Sequence, residues 1–107
     1  MNKIARGNYY RKKTADWFKK EGYDVEIIEK NQRIWTPKGV IFIKRDLWGA
    51  DLCAKNEEEI IFIQCKTNRV DINKGIAELN ETRWPQTVKK VVVIWELRAR
   101  EPEIIDA

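Results

Sequence analysis

The residues of this chain with the most chemical potential are Asp51 and the triplet Gln64-Cys65-Lys66. Residues 50–54 and 59–66 have strand composition, and Lys55-Asn56-Glu57-Glu58 between them is a hairpin-length connection. An even-numbered loop sets Ala54 opposite Glu59 and therefore Asp51 opposite Phe62. Side chains alternate faces along a strand, so Asp51, Gln64 and Lys66 share one face and Cys65 takes the other. One carboxylate, one amide oxygen and the backbone carbonyl of Cys65 are oxygen donors of the kind Mg²⁺ or Mn²⁺ takes, keeping several waters besides. In such a cluster Asp51 is the main ligand. Lys66 is placed to stabilise charge on a phosphate or to orient an attacking water. Asp46 offers a second carboxylate from the preceding loop, the alternative being that it satisfies turn amides. The plainer reading of the whole cluster is that Asp51 caps the hairpin and that Gln64 and Lys66 face solvent.

Missing residue types narrow the chemistry further. The 107 residues include no histidine and no serine, which excludes Ser-His-Asp and Cys-His machinery and a histidine general base. Zinc sites that need imidazole go with them, so a metal here binds oxygen. Cys53 and Cys65 stand in no CxxC spacing and read as reduced, buried, small apolar residues. The longest apolar runs, 60–63 and 91–95, fall far short of the ~20 residues of a membrane span. A cytoplasmic protein with one domain over 1–107 is the expectation, since a chain of this size holds one core.

The elements that must position the cluster follow from periodicity. Tyr10, Thr14, Trp17 and Phe18 fall on one helical stripe over 8–21, ended by Gly22. Residues 24–30 read as a strand, Asn31-Gln32 as a turn and Arg33-Ile34-Trp35 as its return, then 40–44 as a short strand after Pro37-Lys38-Gly39. Asp71 is placed to cap a second helix with the stripe Ile72, Ile76, Leu79, although Gly75 weakens it. Residues 90–97 form a last strand before an acidic tail. Helix, strands, helix, strand is an α/β pattern with a mixed sheet, because a strand-helix-strand crossover normally gives a parallel pair.

Charge is unevenly placed. Residues 1–20 hold Lys3, Arg6, Arg11, Lys12, Lys13, Lys19 and Lys20 against Asp16, while the rest of the chain is slightly acidic. That is the footprint of a nucleic-acid partner, with a solvated helix face as the alternative. Arg6, Arg11, Lys12 and Lys13 are the candidate phosphate contacts, joined by Arg98 and Arg100 if the last strand runs on. Trp35, Trp48 and Trp84 lie near polar loops and are available either to bases or to the core. Five Trp, with Phe42, Ile43 and the 91–94 run, exceed what one small core buries, which points to a homodimer interface.

The stretch Arg45-Asp46-Leu47-Trp48-Gly49-Ala50-Asp51-Leu52, followed by Ile61-Phe62-Ile63-Gln64-Cys65-Lys66-Thr67-Asn68, resembles the core of the PD-(D/E)xK nuclease superfamily. Within it the chain is most similar to small archaeal-type Holliday junction resolvases and related phage and archaeal nucleases, where Gln often replaces the acid. The resemblance spans roughly residues 6–95. It implies a restriction-endonuclease-like core in the order α-β-β-β-α-β, and a Mg²⁺- or Mn²⁺-dependent endonuclease acting on DNA, in the resolvase manner on branched structures. Asp51 then corresponds to the metal-binding aspartate, Gln64 to the second ligand and Lys66 to the catalytic lysine. Arg11 stands where the resolvases carry a first-helix glutamate. The alternatives are a catalytically inactive nucleic-acid-binding module of the same fold and a small protein-interaction domain.

Overall fold

A computed structural model describes residues 3–28, 30–45, 47–96 and 98–107 of the chain. The elements run α1 (Lys3–Lys20), β1 (Asp24–Ile27), β2 (Lys30–Thr36), β3 (Gly39–Arg45), β4 (Leu52–Lys55), β5 (Ile60–Lys66), a single 3-10 turn at Arg69–Asp71, α2 (Ile72–Asn80), β6 (Lys89–Ile94) and β7 (Glu103–Asp106). Five strands form one sheet in the order β1-β4-β5-β6-β7, and β2 and β3 form a separate two-stranded ribbon. β5 and β6, joined through α2, are parallel, while the other neighbours in the sheet are antiparallel. The fold is thus α/β with a mixed sheet, the parallel pair arising where the crossover helix demands it.

The period of two along β5 separates two cores. Ile61 and Ile63 join Leu52, Ala54, Val91, Val93 and Trp95 under Ala15 and Phe18 of α1. Phe62 joins Val92 and Ile94 under Leu79 of α2, with Ile72 and Ile76 alongside. The stripe expected on α1 points inward as read, with Thr14 and Phe18 buried, and Ala15 completes it. Thr14 is fully buried because its hydroxyl is used twice: it donates to the Tyr10 carbonyl at 2.7 Å and accepts from Trp95 Nε1 at 2.9 Å. Such pairing is what makes a buried hydroxyl tolerable.

Several sequence expectations need correction. Asn31-Gln32 is not a turn but lies within β2, whose partner is β3 in register Thr36↔Gly39 to Lys30↔Arg45. The turn is at Pro37-Lys38, where proline cannot serve a ladder. β1 pairs with β4, not with the residues that follow it. The expected order α-β-β-β-α-β therefore gains the β2–β3 ribbon and a strand at the end of the chain. That strand, β7, was read as an acidic tail. It pairs with β6, and Arg69 holds its start by bonding both Glu96 and Glu103. β6 stops at Ile94, not at 97.

The apolar run 91–94 offers no spare surface for an interface, since Val91, Val92, Val93 and Ile94 are all buried. The side chains of Phe42 and Ile43 lie outside the described residues. Cys53 and Cys65 are free, as expected, but half-buried where full burial was expected. Burial pushes the Cys53 thiol up, against a smaller opposing effect of Lys55. No helix among the described residues is long and apolar enough to cross a membrane.

Candidate active site

The site begins with a two-residue turn. Leu47 and Ala50 bridge each other, N–H to carbonyl, at 3.2 and 2.9 Å, and between them Trp48 and Gly49 both have positive φ, 52° and 77°. Two successive left-handed residues define the primed type of hairpin turn, in which a side chain at the first position costs about 1–2 kcal/mol. The Trp48 ring packs edge-on against Phe62 and Trp84, with centroids 5.9 and 6.0 Å away, yet stays 55% exposed. Gly49 is constrained twice over. A Cβ there would lie 2.5 Å from the backbone oxygen of Glu78, so only glycine lets the end of α2 press onto the turn that delivers Asp51.

Asp51 is 6% exposed and bound into the sheet edge on three sides. Its N–H donates to the Ile63 carbonyl and its carbonyl accepts from Ile28, both at 2.8 Å, while its carboxylate Oδ2 accepts the Cys65 N–H at 3.0 Å. The register differs from expectation by one step. Asn56 Oδ1 accepts the N–H groups of Glu58 and Glu59 at 2.9 Å each, which makes 56–59 the loop and pairs Lys55 with Ile60. Continued, that register sets Asp51 level with Gln64 in place of Phe62. Parity is unchanged, so Asp51, Gln64 and Lys66 still share the α2 face.

Glu78 was missed in the sequence, and it joins this group from α2. Gln64 Nε2 donates to Glu78 Oε2, and Lys66 Nζ lies 3.1 and 3.4 Å from the two carboxylate oxygens. The lysine and glutamate side chains are 17% and 26% exposed, so the pair is shielded without being sealed. With the amide nitrogen facing a carboxylate, Gln64 Oε1 is the atom left to act as a ligand. One signal was legible: Glu78 sits one residue before Leu79 on the stripe of α2. Nothing in its spacing announces a partner in β5, because the pairing depends on how closely α2 approaches. Gly75 governs that approach too, since a Cβ there would stand 3.1 Å from Val92 and 3.3 Å from Lys66 Cε. The same glycine that weakens α2 in the sequence lets it settle on the site.

The remaining predicted residues divide. Cys65 turns to the α1 face, its Sγ 3.6 Å from Thr14 Oγ1, which leaves its backbone to the site. Asp46 lies outside the described residues. Arg6 of α1 donates to the Thr67 carbonyl at 3.4 Å, one residue beyond Lys66, so the basic helix begins beside the end of β5. Lys13 stacks 4.3 Å over the Trp95 ring, Arg11 bonds Asn8, and Lys12 is exposed. Arg98 and Arg100 do not share a strand face. β6 has ended, and Arg98 has a positive φ of 63°, which turns the chain. Trp84 is not exposed to bases in full: its Nε1 closes the end of α2 by donating to the Leu79 carbonyl at 2.6 Å.

No family model, no curated protein and no solved structure matches this chain.

Proposed function

We propose that this chain is a metal-dependent DNA endonuclease of restriction-endonuclease-like fold, hydrolysing phosphodiester bonds in the manner of the small resolvases. The observation that carries the reading is the meeting of a buried carboxylate, an amide and a lysine on one sheet face, in the order Asp51, Gln64, Lys66. The donor set fits a hard divalent cation through Asp51, Gln64 Oε1 and the Cys65 carbonyl, with Glu78 as the carboxylate within reach. Such a cation supplies positive charge against the phosphate oxygens and activates water. Asp51 is held for its role by the Cys65 N–H, which fixes one carboxylate oxygen. Lys66, steadied by Glu78, donates to a phosphate oxygen as negative charge builds on it. A two-fold dimer would bring two such sites to paired strands, and sedimentation at micromolar concentration checks that arrangement.

One observation favours a second reading, a silent DNA-binding module: among the described residues there is no group of three or more His, Cys, Asp or Glu side chains. A nuclease assay on duplex, flap, single-stranded and four-way DNA, with Mg²⁺ or Mn²⁺, separates the two. Cleavage by the wild type, abolished in Asp51→Ala and Lys66→Ala and lowered about 10–100-fold in Glu78→Gln, is expected from the loss of ligand, charge and positioning respectively. Calorimetry with Mn²⁺ should show site-specific heat lost in Asp51→Ala. Cleavage retained by purified Asp51→Ala or Lys66→Ala would sink the assignment, and DNA binding without cleavage or Mn²⁺ heat would leave the silent module.

A further inference from the structure

The ribbon β2–β3 takes no part in the site above. It pairs with no strand of the main sheet, and two-stranded ribbons are marginal alone in water. Its described side chains stay open: Trp35 is 74% exposed and Ile41 48%, on opposite faces by the alternation of the strands. Residues 30–45 hold Lys30, Arg33, Lys38, Lys44 and Arg45 and no Asp or Glu. The whole-chain arithmetic hides this cluster, because the acidic residues that balance it lie elsewhere. Arg33 sits 5.8 Å over the Trp35 ring, so a cation and an aromatic face are presented together.

We infer that the ribbon is an arm that grips duplex DNA, an inference that rests on the reading of this protein as one that acts on DNA. A surface of one sign on a projecting element complements a polyanion. A two-stranded ribbon also matches the major groove, about 12 Å wide, in which strands as well as helices can lie. The arm leads directly into the site: β3 ends at Arg45, and the turn at Trp48-Gly49 then delivers Asp51. DNA held by the ribbon is therefore held by the segment that positions the carboxylate. Arg33 and Lys38 make the phosphate contacts, and Trp35 makes the apolar contact at the groove.

Fluorescence anisotropy with a labelled duplex, in EDTA so that nothing is cut, tests this on the full chain. Arg33→Glu with Lys38→Glu should weaken binding at least tenfold and reduce the slope of log affinity against log salt by about 0.9 per lost contact. Trp35→Ala should weaken binding about fivefold at low and high salt alike, since its contact carries no charge. Lys38→Glu alone, at an exposed turn, keeps the test in hand if the double variant fails to fold, and should weaken binding about threefold. Wild type that binds while these variants bind as tightly overturns the arm and leaves the nuclease reading standing. Wild type that binds no duplex at any salt overturns both. A dimer split by Trp35→Ala in sedimentation, with DNA affinity unchanged, makes the occupant a second copy of the chain and overturns the arm.

Discussion

Tyr23 is the side chain whose proton reports most directly on the fold. Its hydroxyl donates to Glu59, and that hydrogen bond, burial and the charges of Glu59, Glu58 and Glu21 push it from 10.0 up to about 12. A phenol that holds its proton more tightly when folded favours the folded state in full below the unfolded value, and the favour is lost as pH rises towards the folded one. Stability should therefore fall between pH 10.0 and about 12, and Tyr23→Phe should flatten the part of that fall owed to this group. Urea denaturation of the two proteins across the window checks it; parallel curves would mean that the Glu59 contact is not kept in solution. At this scale the sequence was informative where a role follows from alternation. The shared face of Asp51, Gln64 and Lys66 survives a register shift of one pair, because parity alone decides it. Glu78 was not legible, since its bonds to Gln64 and Lys66 follow from the distance of a helix from a sheet.

That distance is set at the scale of elements by two glycines. Gly49 combines a φ of 77° with a backbone oxygen of α2 where its Cβ would be. Gly49→Ala should cost at least about 2 kcal/mol, from the left-handed backbone and from moving α2 off the turn. Gly75→Ala meets only side chains and regains about 1 kcal/mol of helix propensity, so the two substitutions should differ in sign or nearly so. Thermal unfolding of both variants decides this, and equal losses would show that the approach of α2 is not what Gly49 protects. The elements themselves were partly legible. α1 and α2 show in their stripes, and the hairpin β4–β5 in its length. β1 was given the wrong partner because the sequence reading assumed neighbours in the chain pair, whereas β1 reaches across the ribbon to β4. β7 escaped because Glu103-Ile104-Ile105-Asp106 has the charge of a tail; it becomes a strand only beside β6, with Arg69 answering Glu103.

For the molecule as a whole, charge distribution is the property most open to measurement. α1 begins beside the end of β5 through Arg6 and the Thr67 carbonyl, so phosphate contacts on the helix would lie close to Lys66. Reversing charge at Arg6, Arg11, Lys12 and Lys13 should weaken binding of all DNA sequences alike and flatten its salt dependence. Unaltered affinity would reduce the helix to a solvated face. The overall α/β class was legible from the order of patterns, since a helix between two apolar strands nearly dictates a parallel pair. The second concentration of positive charge, on the ribbon, was hidden by treating everything after residue 20 as one body. That ribbon also bears on how fast the site can assemble. Ile27 must find Leu52 across residues 28–51, a closure whose entropic cost grows with the length of free chain. β2 and β3 meet through a turn at Pro37-Lys38, and short hairpins close in microseconds, before distant strands meet. Once zipped, the ribbon leaves only the stretches flanking it slack, roughly a third of the original loop, which lowers the cost of joining β1 to β4 by about 1 kcal/mol. Folding of the segment that carries Asp51 is thus hastened by an excursion that looks, from the length of the insertion, as though it should delay it.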